Sequence, residues 1–151
     1  MIWHVTTTNP METEQLAEHI GEKLRGGEII ELVSDLGGGK TAFVRGLARG
    51  MGSTDHVTSP TFTISREYAA GTLTLYHFDF YRLEEPGIMA NELAELITDP
   101  KAVVAVEWSD IVQHVLPEDR ITIHIAATGE TDREFTITCP ETLQYLIPKE
   151  T

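Results

Sequence analysis

The stretch SDLGGGKT, Ser34 to Thr41, sets three consecutive glycines in front of a lysine and a threonine. Those residue types, in that order, are suited to holding phosphate oxygens. Gly37, Gly38 and Gly39 allow close backbone approach, so that N–H groups converge on an anion, and a helix that follows would add its positive end. Lys40 would reach the outer phosphates, and the Thr41 hydroxyl would complete a Mg²⁺ shell. The binding segment then runs from Asp35 and Leu36 through the glycines to Ala42. The strict pattern starts with glycine where this chain has Ser34. A literal search misses the loop, and serine tolerates fewer backbone conformations than glycine at its entry.

Chemistry on a phosphoryl group also calls for an acid at the end of a buried strand, to hold a metal or its waters. Two residues qualify. Glu107 follows the continuously apolar run Ala102 to Val106, the pattern of a strand buried on both faces. Asp79 ends LTLYHFDF, which alternates and reads as a hairpin arm. This difference favours Glu107 as the metal-side acid; Asp79 would then approach from another side, to position water or an outer ligand. His77 shares a strand face with Asp79, but two ligands are too few for a zinc site, so it reads as a structural histidine. Trp108 reads as a core or interface residue. Cys139 has no Cys/His pattern around it.

These residues need elements to position them. IWHVTT reads as a strand. Asn9-Pro10-Met11-Glu12 reads as a helix start, with Asn9 as cap, Pro10 in the first position and Glu12 completing a capping box. That helix would carry Leu16, Ile20 and Leu24 on one face and stop at Gly26-Gly27. Glu28 to Val33 is a strand, and TAFVRGLARGM a helix burying Phe43, Leu47 and Met51, with Gly52 as its stop. Strand, glycine loop and helix form the setting that a phosphate loop requires. TFTISREY and TLTLYHFDF make a hairpin separated by Ala69-Ala70-Gly71, with Gly71 at positive φ. NELAELI and SDIVQHVL read as short helices. RITIHIA and REFTITC make a second hairpin around Thr128 to Asp132, and PETLQYLI reads as a closing helix. The expected fold is α/β: a P-loop NTPase-like mixed sheet with antiparallel hairpins, flanked by helices, in one domain over 1–151.

Bulk properties limit the partners. The chain has 151 residues, enough for one well-buried core, and 41% hydrophobic residues. Its formal net charge is −13, which repels free nucleic acid but leaves room for a local nucleotide pocket. No apolar run approaches membrane-spanning length, and MIWHVTTTNP lacks the pattern of a signal peptide. A single cysteine fits a reducing cytoplasm, the expected location.

DLGGGKT, FVRGLARGMG, VTSPTF, YHFDFYRL, VEW and VLP occur in the order found in the TsaE (YjeE) family, and together they cover most of Leu32 to Pro117. By these strings the chain resembles that family of small P-loop ATPases of bacterial tRNA threonylcarbamoyladenosine biosynthesis. The resemblance implies ATP and Mg²⁺ as cofactors. It implies Lys40 and Thr41 on phosphate and metal, Glu107 as the metal-side acid, and Asp79 and Trp108 as positions needed for activity. It places Thr61 on a switch-like loop near the γ-phosphate, Arg133 near the nucleotide, and Thr8 to Glu12 where the family closes over the base. It also implies partners, TsaD and TsaB, with ATP hydrolysis resetting their complex between turnovers. Ser34 departs from the family's glycine, Gly38 from alanine and EWS from EWP, and the acidic helix is followed only loosely at PGIMANELAEL. No departure removes a catalytic group.

The residues alone leave rivals open. A small-molecule kinase would need an acceptor pocket and an arginine-bearing lid, and no Arg-rich insert follows the loop helix. A nucleotide-gated binding module without turnover would need only the loop. A GTPase would carry Asn-Lys-x-Asp, which is absent from the chain.

Overall fold

The computed structural model describes residues 1–34, 39–57, 65–81, 83–85 and 87–148. In chain order the elements are β1 (Ile2–Thr7), α1 (Pro10–Glu22), β2 (Ile29–Val33), α2 (Lys40–Gly50), β3 (Ser65–Ala70), β4 (Leu73–Asp79), α3 (Ile88–Ile97), β5 (Ala102–Glu107), β6 (Ile121–Ala127) and β7 (Arg133–Thr138). Two 3₁₀ turns, Ser109–Val112 and Glu141–Leu146, stand where short helices were expected. The strands form one seven-stranded sheet in the order β1-β7-β6-β2-β5-β4-β3. Its centre, β6-β2-β5-β4, is parallel, and its margins are antiparallel hairpins.

β5 alternates between two cores. Val103 and Ala105 pack with Ile30, Leu32, Ile121 and Ile123 under α1 and α2. Ala102, Val104 and Val106 pack with Ile29, Phe78, Leu93 and Val112 on the opposite face. A strand between two apolar layers has no polar face, which is why its sequence is continuously apolar. Each fully buried Leu or Phe here contributes about 1.5–3 kcal/mol.

Asn9 caps α1 as expected, its Oδ1 accepting from the Glu12 N–H at 2.9 Å. The return half of the capping box is shifted: the Glu12 carboxylate accepts from the Thr8 N–H at 2.6 Å rather than from the cap residue. α1 also ends earlier than Gly26-Gly27. Lys23 closes it with bonds to the Ile20 and Gly21 carbonyls, and the next N–H groups, of Arg25 and Gly26, turn to the Glu28 carboxylate instead. Leu24 leaves the helix but stays buried.

α1 and α2 run parallel at backbone contact. A Cβ on Gly46 would stand 2.3 Å from the Glu14 carbonyl oxygen, and one on Gly50 would stand 2.2 Å from that of Glu18. Only glycine permits this approach. No helix among the described residues is long and apolar enough to cross a membrane.

Two further expectations change. The β3–β4 strands run through Ala69 and Ala70, so the turn is the two residues Gly71 and Thr72, with Gly71 at φ 67°. β4 is more than a hairpin arm: its other edge pairs in parallel with β5, Asp79 opposite Glu107. An alternating sequence on this strand reflects one half-covered face, not an edge position.

Candidate functional site

The site is built where β2, β5 and β4 end and α2 begins. Asp35, Leu36, Gly37 and Gly38 of the loop, and Thr61, lie outside the described residues. Gly39 closes the loop at φ 98°, a conformation that glycine adopts without strain. α2 starts at Lys40, followed by Thr41 and Ala42. Among the described residues its N-terminus has no side-chain cap, and its first turn carries no acidic residue. Ser34 takes an ordinary backbone conformation, because Trp108 is the one described non-glycine residue at positive φ. The backbone angle at position 34 therefore does not demand glycine.

Lys40 is buried, and its ammonium has three neighbours. Nζ donates to the Ser34 carbonyl at 3.3 Å, lies 3.5 Å from Glu107 Oε1, and sits 4.6 Å from the centre of the Trp108 ring. Glu107 is 4% exposed. Its second oxygen, Oε2, is 2.6 Å from His77 Nε2. The His77 ring is buried, and its Nδ1 has no partner among the described residues. The hydrogen bond therefore assigns the ring proton to Nε2, which donates to Glu107 and fixes that carboxylate's orientation. Alternation explains the meeting: His77, Asp79 and Glu107 share the sheet face that Ala105 presents to α2.

Asp79 does not approach from another side, as its reading as a hairpin arm implied. It lies beside Glu107 in register, and its Oδ1 accepts from the Tyr81 N–H at 2.9 Å. Burial raises its pKa above the ordinary aspartate value, and the neighbouring Glu107 charge adds to this. Trp108 adopts φ 54°, ψ 52° and packs against Tyr81 with ring centroids 4.9 Å apart. It is a half-buried wall of the site, directly over Lys40.

Arg133 heads β7, and its side chain crosses the loop end: a Cβ on Gly39 would meet its Nε at 3.5 Å. Its guanidinium donates to the carbonyls of Gly129, Glu130 and Asp132. Arg133, Gly39 and Ala42 line a small hollow of 70 Å³ with Pro10 and Thr13 of α1. A larger cleft of 440 Å³ opens beside Trp108, between the ends of β2 and β6.

Sequence reasoning overlooked Glu31, which is buried on β2 and accepts hydrogen bonds from Ser109, Gln113, Arg120 and Thr122. The available signal was a carboxylate inside the apolar run IIELV. Among the described residues no three His, Cys, Asp or Glu side chains gather as a metal cage.

The fold and this corner define a P-loop NTPase-like α/β protein, with a strand–glycine loop–helix unit on a mixed sheet and a buried acid on the adjoining strand. The family profile "Threonylcarbamoyl adenosine biosynthesis protein TsaE" matches residues 7–135. The tRNA threonylcarbamoyladenosine biosynthesis protein TsaE of Bacillus subtilis is 40% identical over 136 residues, which are 87% of this chain and 82% of that protein. The protein of the same name from Treponema pallidum is 36% identical over 83% of this chain and 93% of its own. The crystal structure of Bacillus subtilis YdiB superposes with a TM-score of 0.79 at 33% identity, covering 97% of this chain and 91% of that one. The chain belongs to the TsaE family, the proteins of tRNA threonylcarbamoyladenosine biosynthesis.

Proposed function

We propose that this protein binds and hydrolyses ATP with Mg²⁺, as an accessory subunit that resets a TsaB–TsaD complex between rounds of tRNA modification. The observation that carries this reading is the meeting of Lys40 and Glu107 at 3.5 Å, at the start of α2. A lysine held by a carboxylate, a carbonyl and an aromatic face, none of them gripping it closely, is free to turn to phosphate oxygens.

In this reading ATP lays its phosphates along the first turn of α2, where backbone N–H groups and Lys40 meet their charge. Glu107 and Thr41 would hold the metal, which when bound neutralises charge developing on the phosphoryl oxygens. His77 keeps the Glu107 carboxylate from rotating. Asp79, its pKa raised by burial, stands next to Glu107 and would orient the attacking water. The hollow between Pro10, Ala42 and Arg133 receives the nucleoside end. The net charge of −13 leaves tRNA contact to the partners. The test is phosphate release from ATP with and without TsaB and TsaD. The expected result is slow release alone and faster release with the pair; equal rates would remove the accessory role.

A further inference from the structure

We propose that Glu31 is a positioning residue for Trp108, acting through Ser109 to keep the indole against the Lys40 ammonium. The inference rests on the reading of Lys40 as the phosphate-binding lysine, and it concerns how that lysine is aimed.

Trp108 is the one described non-glycine residue in the left-handed region, a strained conformation that persists only where the surroundings impose it. Something must hold this turn. On the β5 side it is held by ladder bonds ending at Glu107. On the other side the next residue, Ser109, is buried and donates its hydroxyl to Glu31 Oε2. Gln113, one helical turn on, donates to that same oxygen at 2.6 Å and also to Ser109 Oγ at 2.9 Å. Arg120 Nε and Thr122 Oγ1 fill the other oxygen at 3.2 and 3.0 Å. The carboxylate thus ties the 3₁₀ turn after Trp108 to β2 and β6, the strand entering the loop and its neighbour.

The geometry gives this tie a purpose beyond stability. Glu31 faces away from Lys40, on the side of the sheet shared with Ile29, so it never touches the ammonium itself. Ring and ammonium meet at 4.6 Å. A cation–π contact is weakly directional, so it can follow Lys40 from Glu107 to a phosphate without claiming one of its three N–H donors. It works only if the ring stays in place, and the ring's backbone is held through Ser109.

The experiment uses full-length protein carrying Trp3→Phe, so that Trp108 is the sole tryptophan. Lys40→Met in that background supplies the fluorescence spectrum of an indole without its cation. Ser109→Ala should move the Trp108 spectrum towards that of Lys40→Met and slow ATP turnover roughly tenfold, the scale of a small misplacement. Ser109→Thr, which keeps the hydroxyl, should restore both. Glu31→Gln should resemble Ser109→Ala; should it fail to fold, Ser109→Ala decides alone. A wild-type spectrum in a folded Ser109→Ala variant overturns the proposal, as does loss of thermal stability without spectral change. Should the parent protein hydrolyse no ATP, the proposed function fails, while the spectral comparison still decides this inference.

Discussion

Glu31 and Glu107 stand on neighbouring parallel strands, 5% and 4% exposed, yet the fold treats them differently. Glu31 takes four donors, all from side chains fixed by the fold. Those bonds outweigh the upward push of burial and leave its pKa below the ordinary glutamate value. Among the described residues Glu107 has one close partner, His77, and a lysine at 3.5 Å. A carboxylate whose lone pairs are all engaged anchors structure. One that is under-supplied can exchange partners, as a metal-side acid must. Burial alone does not separate the two; the donors do.

The comparison breaks first at Lys40. Lys40→Ala should weaken ATP binding by at least about a hundredfold in calorimetry, since it removes the buried cation at the open start of α2. Unchanged affinity would mean that the Glu107 corner is as static as the Glu31 corner. Next, Glu107→Gln should lower partner-stimulated phosphate release by roughly a hundredfold, with ATP affinity held within about threefold, because its demand arises in the transition state. Equal losses in both would make Glu107 a ground-state anchor.

The Glu31 side is read through pH. Its folded pKa lies below the unfolded one, so its stabilisation is present above about pH 4.3 and is lost as the pH falls below that value. Urea midpoints of wild type and Glu31→Gln should be well separated near neutral pH and converge on acidification. A gap that widens in acid would reverse the assignment. The smallest effect is expected for Thr122→Val, which removes one of the four donors. It should cost about 1 kcal/mol in urea unfolding and leave phosphate release unchanged.

The sequence carried the strand–loop–helix unit, the two-faced β5 and both hairpins, because each has a local pattern. It could not carry the pairing of β4 with β5. That pairing is a contact between distant stretches of the chain, and it brings His77 to Glu107, 30 residues further on. The reading of Asp79 as a separate approach failed for the same reason. Glu31 went unnoticed because its donors, from Ser109 to Thr122, lie 78 to 91 residues away. Ser34 drew concern that the backbone removes: a departure from a pattern matters only where the structure needs what the pattern supplies. Helix ends were misplaced where a side chain, such as Glu28, took over the backbone donors.

The parallel run of α1 and α2 has a kinetic consequence. Both N-termini lie at one end, where Pro10 and Thr13 meet Gly39 and Ala42. Glu12 and Asn9 quench the field of α1, while among the described residues α2 has no side-chain cap. If α2 takes ATP as proposed, the polyphosphate would be repelled at long range by a chain of net charge −13 and drawn in only within the last few ångströms. Added salt screens the distant repulsion more than the near attraction. Under the proposed function, and unlike a protein that steers an anionic ligand from afar, this chain should capture ATP faster as ionic strength rises from very low values.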